Sequence, residues 1–216
     1  MKNQRLKLLQ TSARVFAQKG YTQTSVREIV AAAKMNVSAV SYYFGDKRTL
    51  YVETLKYLLQ QHRDQVFGRP GPLPTTEIID KLSEEQIWKE LKDLIYRTLD
   101  LKFTAQHLPL ERIFTFAELE ASKEIMTSLL LYVRPLNEML AQMIFKLTGV
   151  PKKSPQMVLL IHLIFAQVNL SECDCFVLDK ALADRCPQKD KLPLIKKHIW
   201  QAIQTILKSY KEEYSK

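Results

Sequence analysis

Hydrophobic positions near the start of the chain recur at helical spacing and not at the alternate positions of a strand. In "QRLKLLQTSARVFAQKG", residues 4–20, Leu6, Leu9, Ala13, Phe16 and Ala17 share one face, and Gly20 follows as a C-cap. A second helix opens at "TSVREIV", where Ser25-x-x-Glu28 has the form of a capping box. It is predicted to stop near Ala33, because Lys34-Met35-Asn36 interrupts the pattern, and Asn36 suits the N-cap of a third helix over 36–44. Helix, three-residue turn, helix is the geometry of a helix-turn-helix. On the third helix Val40 and Phe44 fall together and face a core with Ile29 and Ala33. Ser38, Ala39 and Tyr42 lie opposite, with Ser41 and Tyr43 on the flanks.

The same period governs the rest. Residues 46–67 read as one long helix with Leu50, Leu55, Leu58 and Leu59 on its apolar side. "GRPGPLPTTE" follows with four breakers among its first six residues and is predicted to be a linker or loop. Ser83-x-x-Gln86 then caps a helix carrying Ile87, Leu91, Leu94, Ile95 and Leu99. Further helices are predicted at about 109–120, 122–148, 155–171 and 190–212, with Pro135 expected to kink or divide the second of these. The expectation is an all-α chain, with an N-terminal three-helix domain over 1–50 and a helical C-terminal domain over 51–216. Helix 46–67 connects the two. "MVLLIHLIFAQV", residues 157–168, is apolar nearly all round and needs cover on every side. Either it is the centre of its domain or a second copy of the chain covers it.

Charge changes the picture. Of the net +9 on 216 residues, residues 1–50 supply +7, from nine Lys and Arg against Glu28 and Asp46 alone. Such asymmetry points to a polyanion, either nucleic acid or an anionic membrane surface. The third helix favours nucleic acid. In a major groove Ser reads donors or acceptors, while Ala and aromatic carbon meet a thymine methyl. No acid on that helix repels phosphate, although packing on a neighbouring protein surface would use similar residues.

Other chemistry is thin. The apolar run is shorter than the ~20 residues a membrane span needs, and charged residues interrupt any leader-like segment, so neither membrane nor export is expected. Cys173, Cys175 and Cys186 form no paired framework, which fits reduced thiols in the cytoplasm. Cys173-x-Cys175 has no evident third ligand for a metal, and reduced cysteines at a helix end are the simpler reading. His62, His107, His162 and His198 are scattered, without a nucleophile or a Gly-rich phosphate loop, so no enzyme and no cofactor is expected. Trp88, Phe103, His107, Phe114, Phe116, Met126, Tyr132 and Met143 are candidates for a pocket. Ordinary core packing is expected for most, and no ligand site is assigned.

The segment "GYTQTSVREIVAAAKMNVSAVSYYFGDKRTLY", residues 20–51, resembles the DNA-binding domain of the TetR family of bacterial transcriptional regulators. The shared pattern is Gly-aromatic, a Ser-Val-Arg-Glu-Ile helix start, a short turn, Tyr-Tyr-Phe-x-x-Lys and an apolar fourth helix. Lys34 departs from it, standing where the family usually has a Gly that suits positive φ. The resemblance implies that Thr24 and Ser25 touch phosphate, and that Arg27 reaches phosphate or a base at the groove edge. It implies base contacts from Ser38, Ala39, Ser41 and Tyr42, and phosphate contacts from Tyr43 and Lys47. It further implies a homodimer through the last two helices, a palindromic double-stranded operator and a small-molecule effector, most simply a ligand-responsive repressor. "ERIFTFAELEAS…LLLYVRPLNEML" is similar to the CecR-like subgroup of that family. The alternative reading keeps the fold but makes a protein partner the output of a DNA-bound structural protein.

Overall fold

The computed structural model describes residues 2–68, 71–103, 108–119, 123–168 and 172–214. Every element among them is helical: α1 (Lys2–Lys19), α2 (Val26–Ala33), α3 (Ser38–Phe44), α4 (Lys47–Phe67), α5 (Thr76–Asp80) and α6 (Glu84–Lys102). α7 (Leu108–Leu119), α8 (Lys123–Thr148), α9 (Pro155–Val168), α10 (Glu172–Ala181) and α11 (Gln188–Tyr214) complete the order. The chain divides into two compact units. One comprises residues 1–64 and 106–132, the other residues 65–105 and 133–216.

The first unit is built around α1. Its Leu8 and Phe16 meet Ile29 of α2, Val40 and Phe44 of α3, and Leu50, Tyr51 and Leu55 of α4 in one buried cluster. These are the faces the hydrophobic period predicts. Phe16 and Tyr51 pack edge to face with centroids 4.7 Å apart. The unit is larger than residues 1–50, because α4 contributes Leu55 and Leu59 to this core and α7 packs on α1 with Leu110 and Ile113. Local signals account for the early helix ends. Gly20 takes φ 73° and donates its N–H to the Phe16 carbonyl at 2.8 Å, closing α1.

The second unit has its own core, from α5, α6, the last turns of α8, α9 and α11, with Ile87, Leu91, Ile144, Leu160 and Ile203 near its centre. Ser83 and Gln86 form the predicted capping box at the start of α6. Helix α5 lies in the stretch predicted as a linker. Ile79 fills the core from it, and Lys146 Nζ donates to the Ile79, Asp80 and Leu82 carbonyls at and just past its end. Pro135 does not divide α8, which runs as one element through it. α10 was likewise not predicted as a helix.

Within one chain α9 is not covered on every side. Met157, Leu160, Ile161, Ile164 and Val168 are buried, but Val158, Leu159 and Leu163 are 54, 61 and 46% exposed, with His162 exposed among them. Within a single chain α9 is therefore not a central core helix. Among the described residues no helix is long and apolar enough to cross a membrane.

Candidate nucleic-acid interface

α3 owes its placement to caps on both sides of the turn. Ser25 and Glu28 close the capping box on α2: the Glu28 N–H donates to Ser25 Oγ at 3.2 Å, and the Ser25 N–H donates to Glu28 Oε2 at 2.8 Å. Lys19 Nζ donates to the other Glu28 oxygen at 2.5 Å. That contact first, then the Ser25 amide, holds the Glu28 carboxyl at about 2, below its ordinary 4.5. α2 ends on Lys34 in the left-handed region, φ 53° and ψ 51°. Lys34 N–H donates to the Ala31 carbonyl at 3.0 Å and Met35 N–H to the Val30 carbonyl at 2.9 Å, a Schellman closure. The turn therefore has the backbone that glycine favours, with lysine at its left-handed position.

α3 starts two residues later than the sequence predicts, at Ser38. Asn36 still serves the first turn, its Oδ1 accepting from Ser38 N–H at 3.1 Å and Ser38 Oγ at 3.2 Å. Val40 and Phe44 are buried, as the wheel requires, so the opposite face turns outward. Ser38 and Ser41 are exposed and Tyr42 is 68% exposed. Ala39 and Tyr43 are half-buried at the edge of the core. The Tyr43 hydroxyl donates to Gln4 Oε1 at 2.9 Å, and its ring meets Tyr42 edge to face at 4.8 Å. Tyr43 thus braces Tyr42 while α1 braces Tyr43.

The remaining candidates separate by burial. Ser25 is exposed, its hydroxyl donating to Glu28 Oε2 at 3.0 Å besides capping. Thr24 does not share that surface. It is 2% exposed, and its hydroxyl donates to the Gly20 carbonyl at 2.7 Å, so the residue ties the α1–α2 corner together from inside. Arg27 is exposed and, like exposed Lys34, has no ion pair among the described residues. Lys47 opens α4 and lies over the Tyr21 ring, Nζ 4.2 Å from the centroid.

Acidic groups near this face are engaged internally. Glu28 holds Lys19, and Asp46 Oδ1 accepts the Thr49 N–H at 2.7 Å, capping α4 and lowering the Asp46 pKa. Glu53 holds Arg5 and Lys56. The roles of Gln4 and Tyr21 escape a reading of the sequence, since their partners lie 39 and 26 residues away. The aromatic after Gly20 was the one available signal. Elsewhere, no group of three or more His, Cys, Asp or Glu among the described residues could hold a metal. Cys175 Sγ lies 3.9 Å from the Lys102 carbonyl and Cys186 Sγ 3.5 Å from that of Pro187, while the side chains of Cys173, His107, Phe114, Met126 and Tyr132 lie outside the described residues.

The family model for bacterial regulatory proteins of the tetR family matches residues 8–54, the helices just described. Residues 8–54 are thus a TetR-family DNA-binding segment. The match of this segment supports a DNA-binding transcriptional regulator. The chain is similar to the probable HTH-type transcriptional regulator YttP of Bacillus subtilis (strain 168), 26% identical over 106 residues, which cover 45% of this chain and 51% of YttP. It is also similar to the uncharacterized HTH-type transcriptional regulator YuxN of the same organism, 36% identical over 69 residues, 32% of this chain and 22% of YuxN. The chain thus spans about half of the one relative and less of the other. Over its whole length it shares its fold with a TetR-family regulator structure from Mesorhizobium loti. The TM-score is 0.62 at 17% identity, covering 96% of both chains.

Proposed function

We propose that this chain is a dimeric, ligand-responsive repressor of the TetR family acting in the cytoplasm. α3 enters the major groove of each half-site of a palindromic operator. The observation that carries the reading is the outward face of α3: Ser38, Ser41 and Tyr42 project from a helix locked by Val40 and Phe44. Unpaired Arg27 and Lys34 stand in the same unit, whose nearby acids are internally engaged. Ser38, Ala39, Ser41 and Tyr42 meet base edges. Arg27, Ser25, Tyr43 and Lys47 serve phosphate or the groove edge, and Thr24 supports them from inside.

The bare stripe of Val158, Leu159 and Leu163 on α9 supports the dimer. Two α9–α11 pairs would cover each other's stripes as a four-helix interface. Twofold symmetry then presents two reading helices to half-sites one turn of DNA apart, about 34 Å. The second unit is the effector domain, and α4 carries the signal because one continuous helix belongs to both units. A coupling of about 1–3 kcal/mol suffices, and by reciprocity operator DNA weakens effector binding equally.

Selection of random duplexes by the purified protein at near-physiological salt tests the reading. An enriched palindrome with half-sites about one turn apart is expected. Binding without enrichment that vanishes as salt rises would overturn it.

A further inference from the structure

The second unit contains a cavity of about 390 Å³ beneath the C-terminal turn of α4, within the usual size range of small-molecule sites. Its walls are apolar where α5, α6 and α8 meet: Ile79, Leu82, Leu94, Met139 and Met143, with Phe67 from α4. Two charged side chains also line it, Glu90 and Arg97, both on α6. They are seven residues apart, so they share a face and stand about 10 Å apart along the helix axis, with Leu94 between them. Glu90 and Arg97 are exposed at the rim, and neither has an ion pair among the described residues.

Arg97 is held in position without being used up. Its Nη1 donates to the Phe67 carbonyl at 2.9 Å, at the very end of α4. Gly68, at φ 65°, lets the guanidinium lie against the backbone; a Cβ there would stand 3.2 Å from Arg97 Cζ. The other N–H groups of the five-donor fork have no acceptor among the described residues. A guanidinium tethered by one nitrogen, with its remaining donors free at the mouth of an apolar cavity, is preorganised for an anionic oxygen pair.

We infer that this cavity is the effector site and takes an elongated apolar molecule with an anionic head on Arg97 and a cationic or donor group about 10 Å away at Glu90. The inference rests on the ligand-responsive reading above for its regulatory meaning. Its chemistry stands on the cavity alone. The same guanidinium holds the last carbonyl of α4, so occupancy of the cavity acts on the end of the helix that continues into the DNA-reading unit.

A ligand-observed NMR titration of the full-length protein with C8 probes tests it. 8-Aminooctanoate is expected to bind tightest, octanoate next, octyl phosphate in place of octanoate if the natural head is a phosphate, and octanedioate and octylamine at least several-fold more weakly. Arg97→Met should weaken 8-aminooctanoate about tenfold and Arg97→Lys less, the scale of a lost hydrogen bond to a charged group. Glu90→Gln should remove the penalty on octanedioate. Thermal melts establish that the variants are folded. Equal binding of all heads, or binding unchanged by Arg97→Met, would overturn the inference. Arg97-dependent binding that leaves operator affinity untouched would support the site and overturn the ligand-responsive function instead.

Discussion

α3 and α9 each bury one face and leave the other bare, but the bare faces differ in kind. That of α3 carries Ser38, Ser41 and Tyr42, in a unit with unpaired Arg27 and Lys34. That of α9 carries Val158, Leu159 and Leu163. Hydroxyls and cations lose little in water, so α3 can wait exposed for a hydrated, anionic partner. An aliphatic stripe gains most from permanent cover by a surface like itself. Exposure alone therefore says little about a partner, whereas the chemistry of the exposed atoms separates a nucleic-acid face from a self-association face.

The strongest way to break the comparison is to charge the stripe. In the proposed dimer, Leu159→Glu places a carboxylate near its own copy across a twofold axis, and the dimer should dissociate. Sedimentation would then report the monomer mass, with the helical circular dichroism retained because residue 159 lies outside the chain's own core. Operator affinity should fall by about 100-fold or more, since one reading head loses the effective concentration supplied by the other. A dimer that survives the change would transfer self-association to another surface.

Changes on the α3 side divide into two signatures. Tyr42→Ala should cost roughly 1–3 kcal/mol on the preferred operator and alter which base is selected, with no loss of fold because the ring is largely exposed. Lys47→Ala should weaken all duplexes about equally and reduce the salt slope by about 1. Competition among operator variants at several salt concentrations reads both. If Tyr42→Ala behaved as Lys47→Ala does, Tyr42 would belong with the phosphate contacts.

How far the sequence carries depends on how local each interaction is. The capping boxes at Ser25 and Ser83, the glycine at 20 and the buried pair Val40 and Phe44 all rest on neighbours within about four residues, and each was legible. Tyr43 on Gln4 and Lys47 on Tyr21 were not, because tertiary packing joins those partners. The bare face of α9 was hidden for another reason: a helix apolar all round has no wheel asymmetry to show which side faces inward. Thr24 misled through its exposed neighbour Ser25, since adjacent residues at a helix corner point to different sides of the backbone. α5 is five residues long and follows a run of breakers, too short for a period to appear.

Lys34 offers a smaller test within the turn. It is the one non-glycine residue at positive φ among those described, and its backbone stands where glycine is unstrained. Lys34→Gly should raise stability by up to about 1 kcal/mol, read as a rise of about 2–4 °C in Tm for a chain of this length. The same change removes an unpaired cation from the α3 side, so affinity for all duplexes should fall slightly as stability rises. Lys34→Gln separates the two effects, because it removes the cation while keeping a side chain that the left-handed region disfavours.

The smallest expected effect concerns Glu28 and sharpens the electrostatic half of the comparison. Its carboxyl titrates at about 2 in the folded chain, below its ordinary 4.5, chiefly through the Lys19 contact and then the Ser25 amide. A depressed carboxylate stabilises the fold fully above its ordinary value, and that contribution is lost as pH falls from about 4.5 toward 2. Glu28→Gln can still accept the Ser25 N–H but cannot pair with Lys19. Melts of the two proteins should therefore differ at neutral pH and converge across that acid window. The released Lys19 also adds one free cation to the α3 side, so Glu28→Gln should bind duplexes slightly more tightly while folding slightly less stably. A variant that lost stability and affinity together would mean that Glu28 acts on DNA only by holding the start of α2, and that its pairing with Lys19 does not tune the field of the reading face.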